Sequence, residues 1–216
     1  MIQTQKLFKC LNNQNNCLKM LNIIQKGYLE ILRLFYANKK KIHLREIAKQ
    51  AQLNENSAFR FLNKLEQDRI LKSEKVGNMK LFSLRINKKT NSILTFFDIE
   101  RYNSLPSIRR TAIETYLNAL NTQPIFVILF GSTAKNNFKK ESDIDILLIT
   151  NKKTNTKNAE NHANAQSGLE VSTFQMEYSE FIQELKLKED SVVQAAIETG
   201  YPLVNHIKYY EEILNE

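Results

Sequence analysis

Cysteine is almost absent: Cys10 and Cys17 are the only two in 216 residues. With no His or Cys cluster beside them, they supply neither a disulfide framework nor the ligands of a zinc module. Idle or buried thiols are the default. Long apolar runs are missing too. The longest, Ile125 to Phe130, falls far short of the ~20 residues a spanning helix requires, and no charged start leads into an apolar signal region. A soluble cytoplasmic protein without a membrane partner is the expectation. Glycine is scarce, at five in the whole chain, so the place of each one is informative. What remains is ordinary globular material, 42% hydrophobic and 25% charged, which excludes disorder as the dominant state. The length exceeds the ~100–200 residues of one domain, so two compact units are expected.

The net charge of +8 hides an asymmetry. Residues 1–90 carry 19 Lys+Arg against 6 Asp+Glu, a balance of +13, while residues 91–216 carry 12 against 17, a balance of −5. The first half attracts polyanions; the second suits cations or basic partners. A Lys- and Asn-rich surface explains part of the excess without any function, so charge alone decides nothing.

In the basic half, Ile24, Tyr28, Leu29, Ile31, Leu32, Phe35 and Tyr36 recur at the three- and four-residue spacing of an amphipathic helix that stops near Asn38-Lys39-Lys40-Lys41. A short strand at Ile42 to Leu44 and a short helix at Arg45 to Gln50 follow. Asn54 or Asn56 caps a third helix with Ala58, Phe61, Leu62 and Leu65 inside and Ser57, Arg60, Asn63 and Lys64 outside. Ile70 to Val76 and Met79 to Arg85 are two strands joined at Gly77-Asn78, a hairpin. Residues 20–88 thus resemble the winged helix-turn-helix of many transcription regulators. The resemblance implies double-stranded DNA as partner, with the third helix in the major groove. Arg60, Lys64 and Ser57 would lie on that helix, Lys75 and Lys80 beside the wing tip, and Arg45 at the start of the second helix. A winged helix used for dimerisation or protein contact is the competing use, and a homodimer is one expectation.

In the acidic half, Pro124 to Phe130 is a buried strand that ends in Gly131-Ser132. Ten residues later Asp143-Ile144-Asp145 opens a second apolar strand, Ile146 to Ile149. Side chains alternate along a strand, so Asp143 and Asp145 share a face, and a divalent cation is the simplest way to keep both ionised. A strand, a Gly-Ser corner, ten residues and Asp-x-Asp together resemble the minimal nucleotidyltransferases of the polymerase-beta superfamily over residues 105–215. Members commonly have Arg-Gly where this chain has Lys135-Asn136.

The resemblance implies an α+β fold, a small mixed sheet with flanking helices. It implies an enzyme that moves a nucleoside monophosphate from an NTP, with ATP the expected donor, to an acceptor hydroxyl and releases pyrophosphate. Gly131, Ser132 and Lys135 would bind the nucleotide; Asp143 and Asp145 would hold Mg²⁺ or Mn²⁺. A third carboxylate, often Asp in the family, belongs on the neighbouring strand. Glu170, the one acid of the stretch Leu169 to Met176, is nominated as third catalytic and metal-binding acid. Relatives of this type include antitoxins that adenylylate a partner toxin, so a protein acceptor is one reading. A non-catalytic regulator that senses nucleotide or binds a partner is another, and an RNA-directed enzyme a third.

The remaining expectations concern organisation. Residues 1–19 read as a leader, 20–90 as the winged helix, 91–104 as a linker and 105–216 as the transferase domain. Ile108 to Leu120, Glu177 to Leu187, Val192 to Ile197 and Ile207 to Leu214 read as helices. Asn151 to Gly168 reads as a mobile polar loop, and Gly200-Tyr201-Pro202 as a break between helices. His43, His162 and His206 are expected in polar structural roles, and Tyr201, Tyr209 and Tyr210 in packing.

Overall fold

A computed structural model describes residues 26–214, and the chain divides after Thr90 into two compact units. The leader 1–19, Cys10, Cys17 and Ile24 lie outside the described residues.

In the first unit, α1 (Lys26–Asn38) buries Ile31, Leu32 and Phe35. It ends where the Asn38 side chain donates to the Leu34 carbonyl and Lys39 turns left-handed. A two-residue strand β1 (Ile42–His43) leads into α2 (Leu44–Gln50), capped by His43 through its Nδ1. Helix α3 (Glu55–Gln67) is capped by Asn54, whose Oδ1 accepts the Ser57 N–H at 2.8 Å, and buries Ala58, Leu62 and Leu65. Strands β2 (Leu71–Val76) and β3 (Met79–Leu84) form the hairpin, with Gly77 at φ +58 in its turn, and β1 adds to β3 in the order β1-β3-β2. Helices α1 and α3 approach closely because Gly27 has no side chain: a Cβ there would lie 2.2 Å from the Phe61 ring, which packs on Tyr28. Helix, helix, turn, helix and hairpin follow in the expected order.

Residues 91–104, expected to be a linker, form most of a helix, α4 (Lys88–Ser104). Its buried residues Thr90, Asn91, Leu94, Phe97 and Asp98 recur at helical spacing, but three of the five are polar, so a reading of hydrophobic periodicity does not register the face.

The second unit is a four-stranded sheet between two helical layers. The elements are α5 (Ser107–Ala119), β4 (Phe126–Phe130), a single turn α6 (Gly131–Ala134), β5 (Ile144–Thr150), α7 (Lys157–Ser167), β6 (Val171–Glu177), α8 (Tyr178–Leu187), α9 (Ser191–Thr199), β7 (Tyr201–Val204) and α10 (His206–Leu214). The strand order is β6-β5-β4-β7, with β5 and β6 parallel and the other pairs antiparallel. On one face Ile144, Ile146 and Leu148 of β5 meet Ala112, Ile113 and Tyr116 of α5 and Ala159 and Ala163 of α7. On the other, Phe126 makes edge-to-face contacts with Phe181 of α8 and Tyr209 of α10.

Two expectations give way here. Asn151 to Gly168 contains helix α7. Its Ala159 and Ala163, one turn apart, are just small enough to seat the helix on α5 and the sheet, and Gly168 terminates it at φ +68. The Gly200-Tyr201-Pro202 break is the start of β7. Pro202 is tolerated because β7 is an edge strand, where a missing N–H leaves no ladder bond unmade on its outer side.

The tyrosines behave as packing residues: Tyr201, Tyr209 and Tyr210 are all buried. The histidines have separate roles. His43 caps α2, His162 is exposed, and His206 Nδ1 lies 2.9 Å from Asp98 Oδ2, whose other oxygen accepts the Tyr210 hydroxyl. No helix among the described residues is long and apolar enough to cross a membrane.

Candidate functional site

The end of β4 and the start of β5 lie side by side, because Phe130 pairs with Asp145. The next residue, Gly131, has φ +68, and a Cβ on it would fall 2.0 Å from Asp145 Oδ2. The Asp145 carboxylate therefore lies directly against a bare Cα. No other residue type leaves that space, since an L side chain would both collide and strain the backbone. Asp143, two residues earlier and exposed, is near enough for its charge to act on Asp145. Burial, and after it the Asp143 charge, raise the Asp145 pKa above the ordinary carboxylate range.

The loop between the corner and Asp143 is held from below. Arg109 of α5 is buried and donates to Thr133 Oγ1 at 2.8 Å and to the carbonyls of Ser142 (2.8 Å) and Lys139 (3.0 Å); its guanidinium stacks on Phe138 at 4.1 Å. Thr133 Oγ1 in turn donates to the Asp143 carbonyl. One side chain thus ties the Gly-Ser corner to the residue that begins the acidic pair. The backbone N–H groups of Lys135, Asn136 and Asn137 donate to Gly131, Thr133 and Ser132 carbonyls. The Ser132 hydroxyl and the exposed Lys135 ammonium remain as side-chain groups for an anion. Asn136 takes φ +56, a conformation that Asn tolerates better than most residues, so the turn forms without the family's glycine.

Glu170 is not gathered into this pair. It is exposed and immediately precedes β6, its carbonyl accepting the Ile144 N–H at 2.8 Å. The β6 residue directly beside Asp145 is Ser172. Among the described residues no three His, Cys, Asp or Glu side chains stand close enough to hold a metal ion together. Two carboxylates still fit Mg²⁺, which takes one or two of them and completes its shell with water and substrate phosphates. A cation there would also relieve the unfavourable charge on half-buried Asp145.

The cations nominated on the first unit divide into two groups. Arg45 pairs with Glu55 at 3.6 Å, Lys64 with Asp68 at 3.3 Å and Lys80 with Glu66 at 2.9 Å. Such exposed pairs contribute about 0–1 kcal/mol each, less than a phosphate contact returns, so they do not bar these side chains from a polyanion. Arg60 on α3 and Lys75 at the hairpin are exposed and have no ion-pair partner among the described residues. Ser57 is half-buried, with its N–H committed to the Asn54 cap.

Comparison with known families gives two matches. Residues 112–207 match the model described as polymerase beta, nucleotidyltransferase, and residues 28–75 match the IclR helix-turn-helix domain. The chain joins a DNA-binding type of helix-turn-helix to a polymerase-beta nucleotidyltransferase domain. Among curated proteins none matches it. The nucleotidyltransferase match spans β4 through β7 and the whole acidic pair, whereas Arg109 lies just before it. Arg109 had one signal in the sequence, its place three, four and seven residues before Ala112, Ile113 and Tyr116 on the buried face of α5, but only the loop folded over it reveals its role.

Proposed function

We propose that this protein is a DNA-binding regulator whose nucleotidyltransferase domain transfers a nucleoside monophosphate, AMP from ATP, to an acceptor hydroxyl on a protein partner, as antitoxin-like members of its family do. The observation that carries the reading is the Asp145 carboxylate seated on Gly131 with Asp143 beside it. Asp143 and Asp145 would hold Mg²⁺, whose chemistry is to neutralise phosphate charge as pyrophosphate departs. Gly131 lets the chain approach the nucleotide, and Ser132 and Lys135 supply a hydroxyl and a positive charge to its phosphates. In this proposal Glu170 helps to deprotonate the acceptor only if its side chain swings toward Asp143 when metal and nucleotide are bound. Arg45, Arg60, Lys64, Lys75 and Lys80 contact DNA phosphates or base edges.

Ser172 supports a second reading. With Ser172, a hydroxyl, beside Asp145 and no third carboxylate gathered among the described residues, the domain binds metal and nucleotide and signals their presence without turnover. Incubation with Mg²⁺ and alpha-labelled ATP, then with the other triphosphates, separates the two. Labelled protein or released pyrophosphate that disappears in Asp143→Asn supports transfer. Nucleotide retention without pyrophosphate favours the sensor. For the first domain, duplex affinity should fall steeply with salt as counterions are released; a salt-independent affinity removes DNA as the partner.

A further inference from the structure

The outward side of α3 carries a feature that charge does not explain. Phe59 is 46% exposed one turn into the helix and makes no ring contact among the described residues, whereas Phe61, two positions on, packs against Tyr28 at 4.4 Å between ring centres. An aromatic residue on an exposed helical face adds nothing to helix propensity. Its neighbours on that side are Asn56 at i−3, Asn63 at i+4 and the unpaired Arg60. The helix thus presents one apolar ring between two carboxamides, within a unit whose described residues 26–90 carry 16 Lys+Arg against 6 Asp+Glu. That excess of positive charge makes a polyanion the occupant of this face.

The major groove of DNA has one apolar group, the thymine 5-methyl, and a carboxamide pairs in two-point fashion with adenine N6 and N7. A ring flanked by two asparagines matches the donor, acceptor and methyl pattern of A·T pairs; guanine presents only acceptors at O6 and N7, so it leaves the carboxamide oxygen unpaired and offers the ring no methyl, while Arg60 goes to the phosphates. We propose that α3 reads A·T base pairs in the major groove, with the Phe59 ring on a thymine methyl and Asn56 and Asn63 on adenine edges. This inference rests on the DNA-binding reading above and adds its sequence preference.

The test uses the full chain. Duplexes recovered from a random-core pool at moderate salt should be enriched in A·T pairs. In the recovered site, replacing the contacted thymine by deoxyuridine removes only the methyl. It should weaken binding by roughly four-fold, the worth of one buried methyl-sized group. Phe59→Ala and Phe59→Gln should bind thymine and deoxyuridine duplexes equally, while Phe59→Leu keeps part of the discrimination. All three should melt with the wild type, because the ring faces outward. Equal binding of the two duplexes by wild type, or discrimination retained in Phe59→Ala, overturns the inference while salt-dependent binding leaves the DNA reading standing. Conversion of a dimer to a monomer by Phe59→Ala with unchanged duplex affinity assigns the ring to a second copy and also overturns it. Absence of duplex binding at any salt removes both.

Discussion

Replacing Gly131 by Ala tests the central geometry, and the chain contains its own control. Gly131 and Gly168 have the same φ, +68, but a Cβ at Gly168 meets nothing within 4 Å, whereas at Gly131 it meets Asp145 Oδ2 at 2.0 Å, Cγ at 2.8 Å and Cβ at 3.2 Å. Gly168→Ala therefore carries only the cost of a left-handed L residue, about 1–2 kcal/mol. Gly131→Ala carries the same strain plus the collision. Relief to an ordinary contact of 3.4 Å requires the carboxylate oxygen to retreat by about 1.4 Å. The Asp145 backbone has no room to supply this, being paired with Phe130 on one side and Ser172 on the other. The side chain must rotate out of its place against Gly131 instead. Overpacking of this kind costs about 1–3 kcal/mol, so the total for Gly131→Ala is about 2–5 kcal/mol. Thermal melts of both variants with and without Mn²⁺ separate the two effects. Wild type and Gly168→Ala should be stabilised by the ion, by about 2.7 kcal/mol at a hundred-fold excess over Kd, and Gly131→Ala should not. If Gly131→Ala melts with Gly168→Ala and keeps its Mn²⁺ shift, the carboxylate does not depend on the bare Cα and the reasoning fails.

Three further outcomes are expected. Because burial and Asp143 raise the Asp145 pKa, the folded chain holds that proton more tightly than the unfolded chain, and stability falls as pH rises from the unfolded value of 3.8 through the raised one. Asp145→Asn should thus be more stable than wild type at neutral pH and equal to it in acid, in melts run between about pH 3 and pH 8; equal melting at neutral pH contradicts the burial argument. Arg109→Met strands the carbonyls of Lys139 and Ser142 and should destabilise the nucleotidyltransferase domain by on the order of 3 kcal/mol in urea unfolding; a loss under 1 kcal/mol would mean that the loop holds itself. Gly27→Ala places a methyl 2.2 Å from Phe61 and should lower helix-turn-helix stability by about 1 kcal/mol net, against the gain that helix propensity alone predicts. The sign of that change decides whether the α1–α3 approach is as close as described.

What was legible in the chain was whatever depends on neighbours in sequence. Periodicity in Ile31 to Phe35 and in Ala58 to Leu65, the Gly77 turn and the Asn54 cap led to the winged helix. A buried strand running into Gly131-Ser132 and the two-residue alternation of Asp143 and Asp145 led to the acidic pair. Helix α7 escaped because its buried face is made of alanines among asparagines, a pattern without contrast. Strand β7 escaped because Gly-Tyr-Pro reads as a break until β4 is beside it. The third carboxylate is the sharpest case: composition named Glu170, the only acid of its stretch, and only the pairing of β5 and β6 shows that its carbonyl accepts the Ile144 N–H while Ser172 stands beside Asp145. Local pattern determines which face of a strand a residue takes, since that follows from backbone geometry alone. Which residue stands opposite, and which distant arginine grips a loop, follow from register and layer packing, and those are settled by the summed burial of the whole sheet.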